Sequence, residues 1–444
     1  MLKKIISNGI FLIGWLPILL GQFPQVLTPQ PAGFPTYGLP APQVPQNPLQ
    51  ALHHQQRQRI QAQNQRLIQE AQQHSQRQRD QLAEVRREIA ALERKPISYA
   101  LPSRMHVPAA QLYRQALSEL QAMLNGEAPI SLKKAVFLVE NAFFEGQLAY
   151  EDYDAHIQRL VHIASQQFER QRLDPADPLA RKLVLQQLMC DTLSYRAAGK
   201  EADAIHIPFG YDFEDIFGRE DWSKMFVSKL LATGEGQCHS LPLLYLILAE
   251  EMGVDAYLAF SPEHSYVRFQ DERGNWYNLE LTNRRLSSDA WILGSGFVRS
   301  EAIRSRIYLD TLGTRRVLAQ CLVDLAQGYA YKSGPDAFML DCAETTLAEH
   351  PQNIHAQMLR SDYYTLLFEH VANQLGRPPW EQLQNHPRAW ELFQRRNAYY
   401  RLVDELGYQP IPEEAYQAWR KSVEAEKEKQ ARENPWRTLN LSDK

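Results

Sequence analysis

Apolar residues recur at helical spacing along two long regions of the chain, residues 96–204 and 298–444. In the first region, Ser131 precedes the apolar stripe of "LKKAVFLVENAFF" and is a predicted helix N-cap. In the second, "LAQGYAYKSGPDAFMLDCAETTLAEHPQNIHAQMLRSDYY" has the spacing of a tetratricopeptide unit, although three clean periods are not present. The second region is therefore predicted to contain tetratricopeptide-like helices or less regular helical hairpins.

The pattern changes in the middle of the chain, over residues 205–297. "LPLLYLILAEEMG" is almost continuously apolar, which predicts a buried helix. Three strand-like runs follow it, at residues 254–261, 264–270 and 275–282, and "DERG" between the last two predicts a hairpin connection. The middle region is thus predicted to be one buried helix followed by an antiparallel meander, and the chain as a whole to be α+β.

The first 95 residues divide into three parts. Lys3 and Lys4 precede a short apolar run, which predicts that residues 1–21 are a secretory signal peptide or, if uncleaved, a membrane anchor. Either form places the remainder outside the cytoplasm, periplasmic or secreted. Residues 22–48 are rich in Pro and Gln and have no apolar face, which predicts a linker. Residues 49–95 lack Pro and Gly, which predicts a long exposed helix, either a weak coiled coil or a solvated single helix.

The composition and the absence of certain motifs argue against several classes of function. The net charge is −4 over 444 residues, and no block of one charge sign indicates a nucleic-acid partner. Four cysteines are too few for a disulfide scaffold, and neither metal-site nor nucleotide-binding motifs occur, so neither a metal nor a cofactor is expected. Cys321 and Cys342 lie on successive predicted helices, which allows either a disulfide outside the cytoplasm or two free core thiols.

A cysteine lies at the beginning of the predicted buried helix, in "GEGQCHSLPLL". The N–H groups at a helix N-terminus stabilise a thiolate and can bind an oxyanion, so Cys238 is a candidate nucleophile. A thiol nucleophile needs a base, and the base needs an orienting group. His264 begins the second predicted strand and Glu280 lies in the third. If the hairpin is centred on Glu272, His264 and Glu280 are direct cross-strand neighbours, with Cβ atoms about 5 Å apart on one face.

Three nearby residues are weaker candidates. His239 follows Cys238 directly but is expected to point around the helix from it, which makes it a poor base. Trp222 is a candidate for an oxyanion pocket, with no spacing that fixes its distance. Cys190 lies on a predicted helix and is expected to pack in the core.

The order of Cys238, His264 and Glu280 along the chain resembles that in the transglutaminase-like superfamily of papain-like folds. The resemblance rests on Cys238 in "GQCHS", His264 in "PEHSYVRF" and Glu280 in "NWYNLELT". In that family Gly-x-Cys starts the core helix, the His begins a strand, and an acid follows a Trp in the next strand, a spacing that Trp276 and Glu280 keep. The family acid is usually Asp, and His239 stands where an aromatic residue is common. The resemblance spans roughly residues 205–285, and the flanking helices are similar to those of one bacterial branch that ends in tetratricopeptide-type helices.

The resemblance implies a papain-like core in which Cys238, His264 and Glu280 act on an amide of a protein or peptide. Water as the acceptor gives a protease or amidase, and an amine gives a transglutaminase; the sequence does not choose between them. The alternative is a non-catalytic binding or assembly protein that holds a protein partner on its C-terminal helices. Because the triad is complete, the enzyme is the favoured hypothesis.

Overall fold

The computed structural model describes residues 48–92, 96–104, 109–197, 199, 202–295 and 297–433. They form two units, the first helix and the part of the chain from Ser98 onward. The predicted signal peptide or anchor, and the predicted linker apart from Pro48, lie outside these ranges. Among the helices that the structure describes, none combines the length and apolarity needed to cross a membrane.

The first unit is a single long helix, α1 (Pro48–Leu92). The lack of Pro and Gly across this region permits a helix of such length. Leu82 and Val85 fall at the a/d spacing that the seam of a coiled coil requires, and both are exposed. The predicted long helix is confirmed, and its pairing in a coiled coil stays a prediction.

Four helices precede the sheets in the second unit. Ser131 begins one of them as predicted, because its side chain accepts a hydrogen bond from the N–H of Lys134 at 3.3 Å. The four helices are α2 (Ala109–Asn125), α3 (Leu132–Phe143), α4 (Tyr150–Gln171) and α5 (Pro178–Cys190).

A short antiparallel hairpin follows α5 where the apolar pattern predicts that the helix continues to Tyr195. Asp191 already has extended backbone angles. Asp, Thr and Ser are weak helix formers, and the run "DTLSY" contains all three. The predicted helix is therefore too long. The two strands are β1 (Leu193–Arg196) and β2 (Asp203–His206).

The predicted buried helix is present and is buried over Ser240–Ala249. Two short strands lead to it and pair in parallel. The elements of this part are β3 (Gly210–Tyr211), a 3₁₀ turn (Trp222–Met225), α6 (Val227–Thr233), β4 (Glu235–Gly236) and α7 (Ser240–Met252).

An antiparallel meander of four strands follows α7. The pattern predicts three of them and misses the fourth, which is three residues long and largely exposed, so that it carries little apolar signal. The strands, in chain order and in sheet order, are β5 (Tyr257–Ser261), β6 (His264–Gln270), β7 (Trp276–Glu280) and β8 (Arg285–Ser287). Because α7 is buried and contacts β5 and β6 as well as α3, α4 and α5, it is the centre of the core. This mixture of helices and antiparallel strands confirms the α+β class; the papain-like topology stays a prediction.

The register between β6 and β7 differs from the predicted one by two residues. The prediction places His264 directly opposite Glu280, whereas the structure pairs Val267 with Leu279 and continues that register along both strands. The prediction of direct neighbours is therefore wrong. An error of two residues nevertheless keeps His264 and Glu280 on the same face, because side chains alternate with a period of two.

The turn between β6 and β7 causes this difference. The Asp271 carboxylate accepts hydrogen bonds from the N–H groups of Arg273 and Asn275, at 2.9 and 2.8 Å. Gly274 adopts a positive φ of 82°, which glycine permits at no steric cost. The turn therefore includes Asn275 and is centred on Arg273 rather than on Glu272.

The chain is mostly helical after the meander. Neighbouring long helices pack on one another, and one of them, Thr314–Ser333, also contacts α2 and α3. These contacts fit helical hairpins, and the tetratricopeptide likeness stays a prediction. The helices are α8 (Asp289–Ser295), α9 (Ser300–Arg304), α10 (Thr314–Ser333), α11 (Ala337–Glu349), α12 (Ile354–Gln374), α13 (Trp380–Leu383), α14 (Pro387–Glu405) and α15 (Glu413–Glu433).

Cys321 on α10 and Cys342 on α11 are both free and buried. Of the two alternatives for this pair, the structure has the free core thiols and not the disulfide.

Candidate active site

Cys238 lies in the tight turn between β4 and α7, two residues before the helix begins. The turn is braced from both sides. The Gln237 N–H donates to Ser240 Oγ at 3.0 Å, and its buried side chain donates to the Asp212 carbonyl at 2.8 Å. Gly236 is required here, since a Cβ at that position would lie 2.6 Å from Ser240 Oγ. The backbone that carries the thiol is therefore fixed by its neighbours.

The strand that begins at His264 contacts this turn directly. Ser265 Oγ donates a hydrogen bond to the carbonyl oxygen of Cys238 at 2.6 Å. The preceding residue, Glu263, has a positive φ of 53°, which turns the chain sharply from β5 into β6. The start of β6 and the start of α7 are thus held together, and His264 is brought to Cys238.

His264 and Glu280 are hydrogen-bonded to each other. His264 Nε2 lies 2.5 Å from Glu280 Oε2, although the two residues are diagonal rather than direct neighbours across the strands. The Glu280 side chain is 3% exposed and that of His264 is 27% exposed. The carboxylate is therefore enclosed while the imidazole reaches the surface of the site.

Burial alone would lower the pKa of His264, but the charge of Glu280, its hydrogen bond to His264 and the neighbouring Cys238 thiol outweigh it. The pKa of His264 is consequently well above that of an ordinary histidine. Because Nε2 is engaged with Glu280, Nδ1 is the ring nitrogen left for the Cys238 thiol. An imidazolium between a carboxylate and a thiolate is the charge arrangement that activates a thiol nucleophile.

The backbone at Cys238 offers a place for a developing negative charge. Among the described residues, no backbone carbonyl accepts a hydrogen bond from the Cys238 N–H. This N–H lies next to the N-terminus of α7, whose dipole favours negative charge. An oxyanion formed beside the sulfur can therefore be stabilised here.

The other cysteines lie in different surroundings. Burial raises the pKa of Cys190 to about 12. Burial also raises the pKa values of Cys321 and Cys342 well above the ordinary range. The expectation that Cys190 packs as a core residue agrees with this.

The other two weaker candidates, His239 and Trp222, contact residues of α10. His239 Nε2 lies 3.1 Å from Asp324 Oδ2 on α10, so that nitrogen is engaged with a carboxylate of the helical region. Trp222 stacks on Tyr331 and lines a small cavity with His239 and Asp324, and Cys238 does not line that cavity. The suggested oxyanion role of Trp222 has no support in this placement.

Sequence reasoning missed Gln237, Ser265 and Asp324, although the structure connects all three to the turn at Cys238 or to its neighbour. Polar residues inside apolar segments were the available signal, because buried polar groups need partners. Which partner each one takes depends on contacts across the fold. No group of three or more His, Cys, Asp and Glu side chains in the described ranges is arranged to hold a metal ion.

Comparison of the chain with protein-family models, with curated proteins and with solved structures finds no match. The case for a function therefore rests on the residues and on their geometry.

Proposed function

We propose that the chain is an exported thiol enzyme that acts on amide bonds of a protein or peptide, with a transglutaminase-like, papain-like core. The observation that carries this proposal is the 2.5 Å hydrogen bond between His264 and Glu280 at the start of β6, a strand that Ser265 Oγ joins to the Cys238 carbonyl at 2.6 Å. The apolar run after Lys3 and Lys4 supports export. No cofactor is needed for this chemistry.

The reaction begins with the Cys238 thiolate attacking the carbonyl carbon of the amide, while the proton from the thiol resides on His264. The Cys238 N–H stabilises the oxyanion of the tetrahedral intermediate. When the C–N bond breaks, His264 donates its proton to the leaving amine, and a thioester remains on the sulfur. Glu280 holds the imidazole in the required orientation and stabilises its charged form.

The second half of the reaction releases the acyl group. Water, or a primary amine in a transglutaminase, attacks the thioester carbonyl and gives a proton to His264. The C–S bond then breaks and the thiolate returns. The two outcomes differ in the acceptor alone, so the same three residues serve both.

Two measurements test the proposal. The first is the rate of alkylation of each cysteine by iodoacetamide between pH 5 and pH 10, measured by peptide mapping. The Cys238 rate is expected to level off well below about pH 8.5, where a free thiol titrates. In His264→Ala the plateau is expected at higher pH. An identical pH profile of the alkylation rate in both proteins would show that His264 does not activate Cys238, and the proposed enzyme would be wrong.

The second measurement is activity. The protein is incubated with a peptide library, with and without a labelled primary amine, and new N-termini and labelled peptides are counted. Products should form with the wild type and not with Cys238→Ala. A Cys238 no more reactive than Cys190, together with no products, would favour the alternative of a non-catalytic binding protein.

A further inference from the structure

A second histidine–carboxylate pair lies on the helix side of Cys238. His239, the residue after the nucleophile, contacts Asp324 on α10 at 3.1 Å, with side chains 24% and 11% exposed. His239 is also the N-cap residue of α7. Its side chain therefore joins the turn that carries the thiol to a helix of the C-terminal region.

Asp324 is itself held from the far side by a chain of amide groups. Gln320 donates to Asp324 Oδ1 at 3.4 Å, and Asn353 donates to Gln320 Oε1 at 3.0 Å. Asn353 in turn caps α12, since its side chain accepts from the Ala356 N–H at 2.9 Å. All three members of this chain are buried. The position of His239 is thus fixed through hydrogen bonds that reach the start of α12.

The charged and titratable groups that face His239 come from several elements. Asp324 and Cys321 lie on α10, Glu140 on α3, His355 on α12, and Cys238 is its chain neighbour. Burial lowers the pKa of His239, but Asp324, Cys238 and Glu140 together raise it above the ordinary value. A protonated imidazole is therefore favoured next to the nucleophile.

We propose that His239, held by Asp324, is a positioning residue for the nucleophile: it fixes the turn at Cys238 and supplies a second positive charge that stabilises the thiolate. It does not take the proton of the thiol, because its ring faces α10 and its Nε2 is bonded to Asp324. The base remains His264. This inference rests on the proposed function, since it assigns a role toward Cys238 as nucleophile.

The test uses two substitutions that separate position from charge. Asp324→Asn retains an oxygen that accepts a hydrogen bond from His239 but removes the carboxylate charge that keeps the imidazole protonated. His239→Gln removes the charge itself. For both variants, the alkylation of Cys238 is measured against pH by peptide mapping, with Cys190 as internal reference. Each should move the inflection of the Cys238 alkylation rate to a pH higher by about half a unit or more, the size expected for the loss of one nearby charge in a hydrated site.

Asp336→Asn is the matched control. Asp336 is also a buried carboxylate of the helical region, and it accepts hydrogen bonds from the Arg104 N–H, the Tyr329 hydroxyl and the Phe338 N–H. Its loss should lower stability without moving the Cys238 inflection. If Asp324 served folding alone, Asp324→Asn would, like Asp336→Asn, lower stability and leave the inflection of the Cys238 alkylation rate in place.

The outcomes distinguish a failure of this inference from a failure of the proposed function on which it rests. If His264→Ala moves the inflection while Asp324→Asn and His239→Gln leave it in place, the positioning role is wrong and the triad stands. If His264→Ala leaves the profile unchanged, the proposed function itself is wrong. If His239→Gln does not fold, Asp324→Asn decides alone, and an unmoved inflection in that variant overturns the inference.

Discussion

Two histidine–carboxylate pairs flank Cys238, one on the sheet and one on the helices. The sheet pair, His264 and Glu280, is formed by residues 16 positions apart, whereas His239 and Asp324 are 85 positions apart. The sheet pair needs a single hairpin to form. The helix pair needs the C-terminal helices to be packed on the core. Similar side chains are therefore brought together by local structure in one case and by tertiary structure in the other.

The two pairs also differ in what the imidazole can reach. His264 begins the strand that Ser265 joins to the Cys238 carbonyl, while His239 is bonded to Asp324 on α10. Under the inference above, His239 acts on the thiol through its charge and through the backbone of the turn. Under the proposed function, the sheet pair carries out proton transfer and the helix pair holds the nucleophile in place. Variants of the two should consequently affect rate and stability in different proportions.

The largest expected effect follows from removing the thiol that both pairs serve. Cys238→Ala should abolish product formation, because no thioester can form. Stability should change little, since Cys238 is partly exposed and precedes the helix. Activity with the peptide library and the midpoint of urea unfolding are the measurements. Cys190→Ala is the control, which should keep activity; residual turnover in Cys238→Ala would show that another group is the nucleophile.

The next largest effect should come from the carboxylate of the sheet pair. Glu280→Gln keeps the shape of the side chain but presents an amide to His264, which favours the wrong tautomer. By comparison with other triads, kcat should fall by on the order of 10² to 10⁴. Glu280→Asp keeps the charge with a shorter reach and should be milder. Equal rates for wild type and Glu280→Gln would mean that Glu280 does not orient the base.

The sheet side shows how far the sequence alone can go. The alternation of apolar residues predicts β5, β6 and β7, and it predicts that His264 and Glu280 share a face. Their register depends on how the turn closes, and the turn is set by the hydrogen bonds of Asp271, which the apolar pattern does not contain. His264 and Glu280 are in contact despite the wrong register, because an error of two residues leaves both side chains on the same face of the sheet.

The helix side shows where sequence reasoning ends. Helical spacing predicts that α7 and α10 are helices, and the apolar sequence of α7 predicts that it is buried. The partner of His239 follows from the packing of α10 near the turn at Cys238, which is a contact between distant segments. A polar Asp324 on a buried helix indicates that some partner exists, but the pattern does not identify it. The pattern also predicts helix over most of β1, because a strand of four residues carries little apolar signal of its own.

A smaller effect should appear at the far end of the amide chain on the helix side. Asn353→Ala removes the cap of α12 and leaves Gln320 Oε1 without its donor. Loss of an N-cap and of a buried hydrogen bond should lower the free energy of unfolding by about 1–2 kcal/mol. Urea unfolding measures it. Asn385→Ala, at an exposed position outside this hydrogen-bonded series, is the control. Equal stability of both variants would contradict a structural role for the hydrogen bonds from Asn353 to Asp324.

The smallest expected effect is the pH dependence of stability, which compares the two pairs directly. The pKa values of His264 and His239 are raised in the folded state, by their carboxylates against the effect of burial. Such a group binds more protons when folded, so its contribution is complete below about pH 6.5 and is lost as the pH rises through the folded pKa. For each histidine the slope is bounded by about 1.4 kcal/mol per pH unit.

Buried carboxyl groups also make stability fall with pH, at a lower range. Burial raises the pKa of Glu140 to about 7 and that of Asp362 to about 8, so their contributions are lost mainly between about pH 4 and pH 8. The comparison therefore uses pH 8 and above. There, urea unfolding of His239→Gln and of His264→Gln should each show a shallower fall of stability with pH than the wild type. If one variant keeps the full slope, the corresponding imidazole is already neutral in the folded protein, and the charge assigned to that pair would be wrong.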